Sequence, residues 1–245
     1  MMKRVLVPLL SGLLLAGCLS TGTDSRLVAS GVGDVFKAAT LTDDDMRTLG
    51  VQAAKAYDAK YKVASAKYTQ RLNRLVAKHG KEDGLSLNYK VYASSEVNAF
   101  VLPDGSIRVY SALMDMMNDD ELRWIIGHEI GHAKHGHAAA RYKAAYLASA
   151  ARKGVAASNS AIGDLAAGES GALVEAVLNS QYSQSNEHEA DAYGLAFMRK
   201  HGYNAQAAVS ALTKIAALGD SSSILSTHPA SSARANRMRE QLANR

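Results

Sequence analysis

Leu122-Arg123-Trp124-Ile125-Ile126-Gly127-His128-Glu129-Ile130-Gly131-His132-Ala133-Lys134-His135-Gly136-His137 is the stretch on which the reading of this chain turns. Apolar Leu122, Trp124, Ile125 and Ile126 suit a buried helix, and Asn118-Asp119-Asp120-Glu121 just ahead supplies acids for its positive end. Four residues apart on such a helix, His128 and His132 present two imidazole nitrogens to one ion, with the Glu129 carboxylate on the adjoining side. That is the spacing of a hydrolytic zinc site, in which Glu129 takes a proton from the attacking water and later delivers it to the leaving amine.

A third ligand is needed, and Asn186-Glu187-His188-Glu189-Ala190-Asp191 offers a second helix bearing candidates. Glu187 and Asp191 share a face, so Glu187 can reach the ion while Asp191 accepts from the outer nitrogen of a ligand histidine. The residues alone leave His188 and Glu189 open as alternatives to Glu187. Near the end, Ser226-Thr227-His228-Pro229-Ala230-Ser231-Ser232-Ala233-Arg234 adds a histidine on a polar loop and an arginine six residues beyond it. His135 and His137 read as a polar helix end, and His79 and His201, each followed by glycine, as C-terminal helix residues.

These motifs together resemble the Ste24/HtpX-type zinc metallopeptidases, most closely their small lipoprotein or periplasmic members. The likeness covers about Leu85 to Arg239 and is weaker over the segment before it. It implies one zinc per chain held by His128, His132 and Glu187, which demotes His188 and Glu189 to neighbours. It further implies Glu129 as general base, His228 as a donor to the oxyanion, and Arg234 as a brace on Asp191 or Glu187. Asn98-Ala99-Phe100 resembles the family's run ahead of the catalytic helix, which implies an edge strand onto which an extended substrate adds through its main chain.

The N-terminus reads as a lipoprotein signal over residues 1–17: Met1-Met2-Lys3-Arg4, an apolar core, then Leu15-Ala16-Gly17-Cys18. This segment resembles a bacterial lipoprotein signal with its lipobox, which implies Cys18 as the lipidated residue and the periplasmic face of a bacterial outer membrane as the expected location, since Leu19 is not the aspartate of inner-membrane retention. Residues 18–40 are expected to form the acylated tether, and 41–245 a single peptidase domain. Cys18 is the only cysteine, so a packed core and not a disulfide must stabilise it. The net charge of +5 is spread among acids with no aromatic interleaving, which argues against a nucleic-acid partner.

The expected fold is mainly helical α+β with a small antiparallel sheet beside the catalytic helix. One long helix is expected from Thr42 to Gly80, followed by a strand over Leu85–Tyr92 and a hairpin joining Ala99–Leu102 to Ile107–Tyr110 through Pro103-Asp104-Gly105-Ser106. Between Ala138 and Ser180 the chain is rich in Ala, Gly and Ser, a candidate cover for the cleft. The function that follows is a zinc endopeptidase acting on unfolded or misfolded envelope proteins in membrane-protein quality control. Its rival is a chaperone or assembly factor for outer-membrane proteins, beside an assembly machine, with latent proteolysis. A structural zinc protein would have no task for Glu129, and nothing favours a peptidoglycan amidase.

Overall fold

Thr42 starts the first described helix with a capping box: its hydroxyl accepts from Asp45 N at 3.2 Å while Asp45 Oδ2 accepts from Thr42 N at 2.8 Å. The structure, a computed structural model, describes residues 41–153, 176–177, 180–219, 222–229 and 231–244. The expected signal segment, Cys18 and the tether lie outside the described residues, as do residues 154–175 and 178–179 of the stretch expected to cover the cleft. No helix among the described residues is long and apolar enough to cross a membrane.

Helix α1 (Asp43–Lys60) follows the cap, and α2 (Ala66–Val76) comes after a break that the single expected helix does not allow for. The break has a tertiary cause. Residues 62–64 pair with the sheet: Val63 bridges Tyr92, Ala64 N donates to Val91 O at 2.9 Å, and Ala93 N donates to Lys62 O at 2.8 Å. Tyr61 stacks on Tyr92 with centroids 5.2 Å apart, so β-branched Val63 and its aromatic neighbour extend instead of coiling. The second helix ends at Val76, short of Gly80.

The expected strand over Leu85–Tyr92 is also two pieces. Strands β1 (Lys81–Glu82) and β2 (Leu85–Ser86) form a hairpin through Asp83-Gly84, both with positive φ, the conformation that a two-residue turn of this hand requires. Strand β3 (Asn88–Tyr92) joins β4 (Ala99–Val101) and β5 (Ser106–Tyr110) in a sheet of order β3-β5-β4. The β4–β5 pair is the expected antiparallel hairpin, with Ala99 opposite Val109 and Val101 opposite Ile107. The β3–β5 pair is parallel, Asn88 opposite Ser106 through Tyr92 opposite Tyr110, so the sheet is mixed. The reversal comes from β4: the chain runs back along it and turns again, leaving β5 pointing the same way as β3. Gly105 permits that turn, since a Cβ there would sit 2.2 Å from Ser86 O and its φ is +86°.

Helix α3 (Ser111–Met116) leads into α4 (Asp119–Lys134), which starts at a second capping box between Asn118 and Glu121. Then come α5 (His137–Lys153), α6 (Gln184–Lys200), α7 (Ala207–Ala216), α8 (Ser223–Thr227) and α9 (Ser231–Ala243). The most extensive helix contact is between α4 and α6. Glycines make it close: a Cβ on Gly131 would meet Ala190 Cα at 3.0 Å, and one on Gly194 would meet His128 N at 3.2 Å. Ile107, Val109 and Ala99 pack with Trp124, Ile126 and Ile130 of α4, Met198 of α6 and Leu212 of α7 in the main core. A second cluster, built on Tyr57, Tyr92, Phe100, Tyr110 and Tyr142, ties α1 and α5 to the sheet's other side.

Candidate metal centre

Helical spacing brings the Nε2 atoms of His128 and His132 to 3.1 Å from one another on one face of α4. The glycine seam lets α6 approach until Glu187, in its first turn, places Oε1 3.2 Å from His132 Nε2 and Oε2 3.7 Å from His128 Nε2. His228, at the C-terminus of the short helix α8, brings Nδ1 to 3.0 Å from Glu187 Oε1 and 3.4 Å from His128 Nε2. All four side chains are buried. Tetrahedral zinc with bonds of about 2.0–2.1 Å wants its donors about 3.3 Å apart. The donor separations here scatter about that value, and nitrogen and carboxylate oxygen are the donors zinc takes, so the residues fit the ion.

The groups behind the donors orient them. His128 Nδ1 lies 3.0 Å from Asp191 Oδ1, which fixes Nδ1 as the protonated nitrogen and leaves the Nε2 lone pair for the ion. Arg234, from α9, forks onto Asp191, with Nε donating to Oδ2 at 2.8 Å and Nη2 to Oδ1 at 2.6 Å, and its Nη1 contacts Glu187. His132 Nδ1 lies 3.2 Å from His137 Nδ1, and His137 Nε2 lies 3.2 Å from Glu189 Oε2, a relay that ends at the surface. Tyr182 stacks on the His132 ring with centroids 3.7 Å apart.

Electrostatics favour a cation. Burial pushes His132 well below the ordinary imidazole range, outweighing its bond to Glu187, so the ring is neutral and its lone pair available. Burial alone would raise the Glu187 carboxyl, yet the neighbouring His228 and Arg234 hold it well below the usual carboxylate range. Asp191 behaves alike, its burial outweighed by Arg234. Among the described residues, Glu129, Glu187 and Asp191 against the Arg234 guanidinium that contacts the latter two leave a formal deficit that a divalent ion would offset. Glu129 is buried, its Oε1 3.6 Å from His228 Nε2, and its Oε2 has no hydrogen-bond partner among the described residues.

Of the three candidates for third ligand, only Glu187 faces the histidine pair. His188 meets Arg237 on the far side at 3.2 Å, and half-exposed Glu189 serves His137. His135 is exposed and takes no part, whereas His137, read from sequence as a helix end, stands directly behind His132. Tyr182 carries no sequence signal, because its role depends on a contact across α4. Ala99 lies in the edge strand β4, which packs against α4, while Phe100 turns its ring into the tyrosine cluster, 4.8 Å from Tyr57. Asn98 is buried beside it, its Oδ1 accepting from Ala99 N at 2.9 Å.

The family model for peptidase family M48 matches residues 65–242, most of the chain and every residue of this centre. The chain belongs to peptidase family M48. It is similar to the metalloprotease YcaL of Escherichia coli K12, 37% identical across 99% of this chain and 98% of that protein. It is also similar to the metalloprotease LoiP of the same organism, 36% identical across 98% of this chain and 97% of LoiP. The beta-barrel assembly-enhancing protease of Yersinia pestis is 29% identical over 86% of this chain and 47% of its own length. As an M48 zinc metalloendopeptidase, the protein has in the His128, His132, Glu187 and His228 cluster a buried set of donors for its ion.

Proposed function

We propose that this M48 peptidase cleaves unfolded or misfolded envelope proteins while anchored through acylated Cys18 to the periplasmic face of the outer membrane. The proteolytic part rests on one observation above the rest: a buried carboxylate, Glu129, with an unpartnered oxygen beside a three-donor zinc set. When bound, zinc supplies the Lewis acidity that polarises the scissile carbonyl and acidifies the attacking water. Glu129 Oε2 accepts that water's proton, and the same carboxyl gives it to the leaving nitrogen. Asp191, held by the Arg234 fork, keeps His128 in the tautomer that presents Nε2. His137 does the same for His132. The outer side of β4 is not paired with any strand among the described residues, though Ala99, Phe100 and Val101 are buried, so an extended polypeptide would add there by main-chain hydrogen bonds once that edge is uncovered, which favours unfolded substrates. The Leu15-Ala16-Gly17-Cys18 ending supports the anchor, and the name of the Yersinia pestis relative supports an outer-membrane assembly setting.

The position of His228 favours a second reading, a latent protease that holds its client. Its Nδ1 sits among the donors, where it completes a four-ligand set, and its oxyanion role would require the loop to turn it outward. Zinc content and cleavage of an unfolded protein, measured for the parent, Glu129→Gln and His228→Ala, separate the two. Cleavage by the parent, lost in a folded, zinc-loaded Glu129→Gln, is expected. Equal cleavage by Glu129→Gln would refute the base assignment. A rise in rate for His228→Ala marks it as a cap; a fall of about 100-fold marks it as an oxyanion donor.

A further inference from the structure

At the far end of α6 a second cluster gathers residues distant in sequence. Fourteen residues of helix, about 21 Å, separate Glu187 from His201, the C-cap of the same helix. There His201 Nε2 and His79 Nδ1 each lie 3.1 Å from one atom, Glu82 Oε2. His79 comes from the turn after α2 and Glu82 from β1. The three donor atoms lie within 4.8 Å of one another, with His79 and Glu82 buried and His201 partly open to solvent.

We propose that His79 Nδ1, Glu82 Oε2 and His201 Nε2 form a second, non-catalytic metal site for a borderline divalent ion such as zinc. Two imidazoles and one carboxylate are the donors that such ions take, and both nitrogen-to-oxygen separations approach the roughly 3.3 Å expected around tetrahedral zinc. The cluster has the support that metal ligands need. The outer nitrogen of His79, Nε2, meets the Tyr203 hydroxyl at 2.9 Å, and the His79 ring packs against Phe197 with centroids 4.8 Å apart. Without metal, neutral His79 donates Nδ1–H to Glu82 and accepts at Nε2 from Tyr203. On binding, the ring takes the other tautomer, its proton moves to Nε2, and Tyr203 changes from donor to acceptor. Lys200 engages the other carboxylate oxygen of Glu82 as well as Asp83 Oδ1 at 2.8 Å, so Oε2 is left to the two histidines. Lys200 and His201 are partly exposed, so the cluster borders solvent on their side.

Such an ion would tie the Asp83-Gly84 hairpin and the end of α2 to the end of α6. This proposal does not depend on catalysis. The test uses the full chain, saturated with Zn2+, freed of excess and counted for metal, with Co2+ absorption as a second readout. Two equivalents per chain are expected for the parent and one for His201→Gln, which can still hydrogen-bond to Glu82 and so keeps the fold. Tyr203→Phe should weaken the second equivalent by about 10–100-fold and leave the first unchanged. Zinc beyond one equivalent should raise the melting temperature of the parent and not of His201→Gln. One equivalent in a parent that retains Glu129-dependent cleavage, or two in His201→Gln, would overturn the site. Loss of the first equivalent would instead indict the catalytic cluster.

Discussion

Replacing Gly131 with alanine changes one methyl group inside the histidine motif and should be felt at the metal. In an isolated helix the change is favourable by up to about 1 kcal/mol. Here the new Cβ would stand 2.9 Å from Tyr193 Cβ, 3.0 Å from Ala190 Cα and 3.1 Å from Ala190 O, and two of those three atoms are backbone, which no rotamer change can move. Carbon atoms pack best at about 3.5–4.0 Å, so α6 must retreat by about 0.5 Å. Overpacking of this sort costs about 1–3 kcal/mol, leaving a net loss of about 0–2 kcal/mol and a drop in melting temperature of up to about 8 °C. The larger effect is on the ion. Glu187 moves with α6, and about 0.5 Å exceeds the tolerance of about 0.2 Å on a zinc ligand, so zinc affinity should fall at least about tenfold. Competition against a chromophoric chelator measures it, with Gly80→Ala as control because a Cβ there meets nothing within 4 Å. A Gly131→Ala protein that binds zinc as tightly as the parent and melts no lower would refute the claim that this seam sets the ligand distances.

Arg234→Met should destabilise the fold by about 3–5 kcal/mol, because Asp191 and Glu187 are left buried without their counter-charge, and denaturant unfolding reads the loss. Arg234→Lys, which keeps the charge but not the fork, should recover part of it. Asp58→Asn tests the charge cluster between α1 and the sheet. Burial pushes the Asp58 carboxyl up, but hydrogen bonds from Lys90 at 2.6 Å and Tyr92 at 2.6 Å, with the Arg108 charge, bring it below its ordinary value. A carboxyl lowered by folding stabilises above its unfolded pKa of about 3.9 and loses that contribution as pH falls through the folded value. The parent should therefore melt above Asp58→Asn near pH 7, with the gap closing below about pH 4; a gap independent of pH would refute the ionic account.

What the sequence disclosed was local. The catalytic helix is legible because its acidic start, apolar face and histidine spacing fall within about five turns, and the β4–β5 hairpin because Pro103-Asp104-Gly105-Ser106 marks its turn. The break at residues 61–65 is not, since helical propensity on both sides is good and the decisive bonds go to Val91 and Ala93 in another element. The β3–β5 pairing escapes for the same reason: alternation reveals a strand but not the direction of its neighbour. Asp83-Gly84 was there to be read as a tight turn. At the metal centre spacing brings out His128, Glu129 and His132, but singling out Glu187 from His188 and Glu189 takes the facing of two helices.

The metal centre also has a consequence for the unfolded chain. The protein has a single cysteine, so no disulfide can form within it. His132 and Glu187 bracket a stretch of about 55 residues, and one ion gripping both ends closes that loop. A covalent cross-link over such a loop restricts the denatured ensemble by about 4 kcal/mol, and a tightly held ion imposes the same restriction for as long as it stays bound. Zinc is in that sense the chain's staple, and removing it enlarges the space of conformations from which the two ligand helices must find each other again.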